Sequence, residues 1–330
     1  MKRISNIGAK AVSLAVLILT FGVIAVAQKD AGGQPQQITG DDFPRDITAD
    51  IEKGKTSFVF NKKKPIFRLK RTTKRSKPVA AKPLPAKKPT ARKKYQIPQV
   101  SNAPETWEQI GVTVWKLKPA RSSGANTDAT RALVLEPSTG TAYAAERIAS
   151  DTEFNAGDYV RLSIESPRTG YLYVIDREIY ENGKVGEPLL IFPSMMTRGG
   201  KNFVQPGVVT DIPDQSDRVP YFTLVSNALL RGELLTIIVS PEPLVDIPVP
   251  AKPSYIDAEL LSALEDKFLK DVSEYEQDGT AGMSYTKAEK QSAEAGTRQL
   301  TLADPFPQTV YRVKAGPKEI LMINLRLIVK

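Results

Sequence analysis

The chain has 330 residues, a net charge of +9, no cysteine and no histidine. The two absences exclude Ser-His and Cys-His nucleophiles, Cys/His zinc sites, disulfides and lipid attachment through cysteine. The positive charge is segregated. Residues 53–94 hold 17 Lys/Arg and no Asp/Glu, whereas residues 95–330 carry a net charge of −7.

Taken in order, residues 1–27 read as an export signal, with Lys2, Arg3 and Lys10 ahead of an apolar core. Ala25 and Ala27 before Gln28 give a small-x-small cleavage pattern. The uncharged run 11–27 would span about 26 Å as a helix, short of a hydrocarbon core of about 30 Å. Cleavage is therefore expected rather than a retained anchor, and an exported, periplasmic or secreted chain in either case. Residues 28–104 then read as a disordered basic Pro/Lys-rich tether, because 28–52 is polar without period and 77–94 interleaves Pro with Lys. Lys62, Lys63, Lys64, Arg68, Lys70, Arg71, Lys74 and Arg75, with Phe58, Phe60 and Phe67 nearby, form a candidate polyanion-binding stretch. For an exported chain the matching partners are lipopolysaccharide phosphates, anionic lipids or other envelope polymers, not nucleic acid. A solvated spacer explains the same composition equally well.

The folded part begins near Trp107. Residues 110–117, 131–136 and 144–148 are strand-like. The block from Gly157 to Ser194 is the densest strand-and-turn pattern. Val160, Leu162 and Ile164 alternate with Arg161, Ser163 and Glu165, the period of a half-buried strand. Pro167 and Gly170 supply a turn, residues 171–179 a second strand, and Asn182-Gly183 a hairpin signal leading to the apolar run 188–192. The three strands are expected to form an antiparallel meander. Residues 203–210, 221–226, 233–240, 308–313 and 320–329 read as further strands, the last one inside the sheet because its exposure would invite aggregation.

This block, with Tyr171, Tyr173, Phe192-Pro193, Asn202 and a closing strand in order, resembles the bacterial domain-of-unknown-function family 4384 over roughly residues 147–243. The resemblance implies an accessory module, often appended to signalling or protease-like domains, and brings no catalytic residues.

After the proline-rich connector 241–253, Ile256, Leu260, Leu261, Leu264, Phe268, Val272 and Tyr275 recur at helical spacing. They predict one amphipathic helix over 254–278 with Ser254 as N-cap and a core-packing stripe. The expected fold is mainly β: an antiparallel β-sandwich over 105–249, a connector, helix and polar loop over 250–300, and closing strands over 301–330.

Few catalytic options remain. Ser284 and Lys287 fit a Ser-x-x-Lys spacing, but in a polar loop without the accompanying motifs. Asp211, Asp214 and Asp217 are spaced by three, not by the two of a calcium loop, and read as a solvated acidic loop. Glycoside hydrolysis needs two placed carboxylates, and nothing in the sequence selects a pair. Tyr171, Tyr173, Arg177 and Tyr180 could line a ligand groove, although strand aromatics more often pack in cores. The expectation is a non-catalytic envelope interaction module without cofactor or metal. The alternative is an envelope hydrolase using carboxylates or the Ser284/Lys287 pair.

Overall fold

A computed structural model of the chain describes residues 58–60, 94–100, 103–119, 133–135, 142–225, 229–270, 272–287, 289, 298–301 and 304–330. The strands are β1 Phe58–Phe60, β2 Thr106–Pro119, β3 Leu133–Leu135, β4 Ala142–Arg147, β5 Glu153–Phe154, β6 Tyr159–Glu165, β7 Gly170–Tyr180 and β8 Leu189–Phe192. They continue with β9 Phe203–Val204, β10 Val209–Ile212, β11 Phe222–Thr223, β12 Leu230–Ser240, β13 Ser254–Tyr255, β14 Val272–Gln277, β15 Thr309–Ala315 and β16 Leu321–Val329. Helix α1, Ala258–Phe268, lies between β13 and β14. None of the described helices is long and apolar enough to cross a membrane.

Two sheets face each other. The first runs β1-β14-β15-β2-β4-β3, with β6 on the other edge of β2 and β10 and β11 on β6. The second runs β13-β8-β7-β12-β16-β5, with β9 on β7. All pairings are antiparallel except β16 with β5. Alternation dictates the core: Ile110, Val112, Val114, Leu162 and Ile164 of the first sheet meet Leu172, Val174, Leu235, Ile237, Ile323 and Leu325 of the second. The protein is a β-sandwich. As its hydrophobicity requires, β16 is interior, paired with β12 over Gly232–Val239.

The expected three-strand meander is not formed. β7 and β8 pair through the Asn182-Gly183 hairpin, but β6 belongs to the other sheet, so residues 166–169 cross from sheet to sheet. The cause lies at both ends of that turn. Arg168 Nη1 donates to the carbonyls of Gly316, Pro317 and Glu319 at 3.0–3.1 Å, fixing the loop against the β15–β16 connection. A Cβ at Gly170 would sit 2.5 Å from Ser240 O, so a glycine lets β7 enter directly against β12. Periodicity reports that a strand has two faces, not which sheet it joins.

α1 packs on the outer face of the second sheet. Leu260, Leu261, Leu264 and Phe268 bury against Tyr173, Ile175, Ile238 and Met322, with Leu244 and Ile247 of the proline-rich connector beneath. The stripe is core, and each such side chain contributes about 1.5–3 kcal/mol of burial. The helix is shorter than its spacing predicts. Asp257, not Ser254, is the N-cap, its side chain accepting from Glu259 N at 3.0 Å. Ser254 and Tyr255 pair with β8 instead. Residues 272–277 form β14, which pairs with both β15 and β1. Its two apolar residues, Val272 and Tyr275, are three apart and carry the helical spacing, and pairing with β15 and β1 overrides that local signal.

Two stretches assigned by composition to the tether are built into the sandwich. Phe58–Phe60 pairs with Tyr275–Gln277 at the sheet edge. Tyr95 and Ile97 pack against the α1 cluster, Gln96 N donates to Asp246 Oδ2 at 2.6 Å, and Lys267 Nζ donates to Pro98 O. The lysines around these short apolar segments dominate the composition and hide them.

Candidate functional site

The residues singled out for a ligand groove are dispersed. Tyr171, Tyr173 and Arg177 lie on the α1 face of β7. Tyr173 is buried and its hydroxyl accepts from Leu244 N at 2.8 Å. Arg177 pairs with Glu265 of the helix and donates to Thr236 Oγ1 at 2.8 Å, so it fastens α1 to the sheet. Tyr171 packs edge-on against Phe203, 5.5 Å between centroids. Tyr180 is on the opposite face, donating to Glu178. No groove unites the four. Lys62, Lys63, Lys64, Arg68, Lys70, Arg71, Lys74 and Arg75 lie outside the described residues.

Ser284 bridges β4 at Glu146, while Lys287 is exposed. Between and beyond them sits a reciprocal cap: Thr286 N donates to Glu289 Oε2 at 2.9 Å, and Glu289 N donates to Thr286 Oγ1 at 3.2 Å. A Ser-Lys pair needs the serine at a helix start; here Thr286 takes that place. The acidic triplet is not a solvated loop. Asp211 is buried on β10, Asp214 pairs with Arg198 at 3.0 Å, and Asp217 accepts from the backbone of Arg198 and Asp214.

Asp211 belongs to a polar cluster that alternation alone conceals, because the outward face of β6 is buried as well as its inward face. Register sets out two adjacent rows: Arg147, Trp115 and Arg161 across β4, β2 and β6, then Asp211, Ser163 and Thr113 across β10, β6 and β2. Tyr285, Glu289 and Arg298, from the region read as a polar loop, cover them. Trp115 stacks on Tyr285 at 4.2 Å and donates through Nε1 to Ser163 Oγ at 2.7 Å. Ser163 Oγ in turn donates to Asp211 Oδ1 at 2.5 Å. Arg298 joins Asp211 at 3.3 Å and Glu289 at 3.1 Å, and Glu289 also holds Arg147. Arg161 donates twice to Pro220 O. Burial works against the charge of Arg298, yet Asp211, Tyr285 and Glu289 outweigh it and raise its pKa. For Arg147 burial prevails over Glu289 and lowers it. The cluster holds Tyr285, Glu289 and Arg298 onto the sheet.

A second polar cluster lies at one end of the sandwich, on the inner face of β7 and β12. Asp176 and Glu233 are in hydrogen-bond contact beside Glu178. Burial comes first in raising both: Asp176 goes up to about 6, and Glu233, also repelled by Asp176 and Glu178, to about 9. Asp176 Oδ1 and Glu233 Oε2 are each buried without a donor when ionised. One proton, carried by Glu233 and shared with Asp176, satisfies both. The folded state thus holds a proton that the unfolded chain releases near pH 4.5, so unfolding free energy falls as pH rises from about 4.5 to 9. Glu233→Gln keeps a donor and removes the titration. It is expected to flatten that fall and to be more stable than the parent at pH 9 by about 1–3 kcal/mol. Thermal melts across this range check it, and an unaltered pH slope in the variant would show that the proton is not shared.

The exposed surface carries an apolar patch. Met195 and Val249 meet over Gly200, whose Cβ position lies 3.0 Å from Met195 Sδ and 2.7 Å from Val249 Cγ1, and Met195 N donates to Pro250 O at 2.9 Å. Met195 and Met196 are 58% and 60% exposed. Methionines displayed this way suit an adaptable recognition surface. Compared with protein-family profiles, characterised proteins and solved structures, the chain shows no significant match.

Proposed function

We propose that the protein is an exported, non-catalytic interaction module of the bacterial cell envelope. In this reading the sandwich recognises a protein partner and the basic segment engages anionic envelope polymers. The observation that carries it is the division of labour among side chains. The buried Arg147, Arg177 and Arg298 of the sandwich are each paired with a carboxylate, while the surface offers the Met195/Met196/Val249 patch and the sequence supplies an acid-free basic stretch.

The test separates body from tether. At about 1 M salt, where the screening length is about 3 Å, tether attraction is suppressed. Envelope fractions should then still retain part of the wild-type protein, and Met195→Asp/Met196→Asp should lose that part with its melting temperature unchanged. Equal retention of the two proteins would remove the patch from the account.

The Asp176–Glu233 contact favours a second reading, a carboxylate hydrolase. The contact is closer than the roughly 5 Å or more that glycosidase pairs require, so it fits a proton-sharing acid dyad rather than a glycosidase. Hydrolysis of envelope peptides lost in Asp176→Asn would establish that reading and displace the first.

A further inference from the structure

The loop that displays Met195 and Met196 is ordered by its neighbours. Arg198 stands in the left-handed region at φ 52°, which favours glycine, and two aspartates hold it there. Its backbone N–H donates to Asp217 Oδ1 at 2.9 Å, and its side chain pairs with Asp214 at 3.0 Å. Asp217 also accepts from Asp214 N at 2.7 Å, so both acids are committed to the loop. The cations beside them are not. Lys201, Arg218 and Lys252 are exposed, and none of them pairs with a carboxylate among the described residues. Lys201 follows Gly200, on which Met195 and Val249 meet. Arg218 follows Asp217, with exposed Val219 next to it, and Lys252 lies two residues beyond Pro250, whose carbonyl accepts Met195 N. Free cations bordering an apolar patch are a local reversal of sign, since residues 95–330 carry a net charge of −7.

We propose that this patch docks a protein segment whose apolar centre is flanked by carboxylates. The inference deepens the reading of the patch as the sandwich's recognition surface, and rests on it. Met195 and Met196 adapt their shape to the apolar centre, while the carboxylates meet Lys201, Arg218 and Lys252. Complementary charge of this kind selects the partner and speeds encounter more than it adds affinity. The order that Asp214 and Asp217 impose on the loop lowers the entropic cost of docking. A protein segment suits the surface better than a lipid bilayer, because the patch displays Met and Val and lacks the Trp and Tyr that anchor proteins at a bilayer interface.

The test selects random peptides displayed on phage against the full chain. Only peptides whose enrichment is lost on Met195→Ser/Met196→Ser are scored, which sets aside any that the basic segment collects. Thermal melts confirm that each variant folds. Scored peptides are expected to carry Asp or Glu on both sides of an apolar centre. One of them, synthesised with a fluorophore, should bind Lys201→Glu/Arg218→Glu/Lys252→Glu about tenfold more weakly by anisotropy. Selection on that triple variant should enrich Lys and Arg in the same flanks. Scored peptides without an acidic bias, or an affinity unchanged by the charge reversal, overturn the proposal and leave an apolar recognition patch. The absence of any scored peptide overturns the patch reading and the proposal together. Phosphatidylglycerol vesicles are run in parallel: if they bind the parent but not Met195→Ser/Met196→Ser, and no peptide is scored, the patch belongs to a lipid surface instead.

Discussion

Glu289→Ala is expected to lower the unfolding free energy by about 3–5 kcal/mol, because it leaves two buried guanidiniums without their shared counter-charge. Glu289 is 2% exposed and accepts from Arg147 and Arg298 through one oxygen and from Thr286 N through the other. Its loss removes the cap of the covering segment as well as the charge pairing. Arg298 retains Asp211, whereas Arg147 is left with the carbonyl of Phe306, at 3.1 Å, and the face of Trp115, neither of which carries a full counter-charge. Urea denaturation should show a lower midpoint at an unchanged slope, the signature of lost stability without a change in the surface exposed on unfolding. A loss under about 1 kcal/mol would mean that the cluster is dispensable and that Tyr285 and Arg298 are held by other contacts.

Phe268→Ala is expected to cost a similar 3–5 kcal/mol, through a different mechanism. Phe268 ends α1, is 1% exposed and fills the space between the helix and the second sheet. Removing the ring takes away transfer energy and leaves a cavity that the rigid sheet beneath closes only in part. The exposed neighbour Asp266→Ala should shift stability by no more than about 0.5 kcal/mol. If the two variants melt alike, the helix does not dock by this stripe.

How far the sequence discloses this fold depends on whether the relevant signal is local. β2 and β16 are legible because apolar residues repeat every second position, and β12 because Leu234–Val239 is a near-continuous apolar run suited to a strand buried on both faces. The Asn182-Gly183 hairpin is legible because Gly183, at φ 74°, takes a backbone conformation few other residues accept. The sheet assignment of β6 is not legible, since it depends on Arg168 finding three carbonyls about 150 residues away. Residues 272–277 carry a helical spacing of Val272 and Tyr275, and pairing with the edges of β15 and β1 overrides it. The candidate sites divide the same way. Tyr173 and Arg177 stand out by residue type, yet their roles are set by Leu244 and Glu265, which the sequence does not place beside them. Asp176 and Glu233 are two acids among 37 until β7 and β12 pair. Arg161 and Ser163 look like a wet strand face until Tyr285 and Arg298 are laid over it.

The most direct test of the envelope-module account is sedimentation of the protein with isolated envelope fractions from about 50 to 200 mM salt. Wild type is compared with a variant carrying glutamine at Lys62, Lys63, Lys64, Arg68, Lys70, Arg71, Lys74 and Arg75. The account predicts that wild-type affinity falls steeply and log-linearly with salt, through release of condensed counterions, and that the variant lacks this salt-dependent component. Equal sedimentation of both proteins, unaffected by salt, would contradict it and leave the basic segment as a spacer.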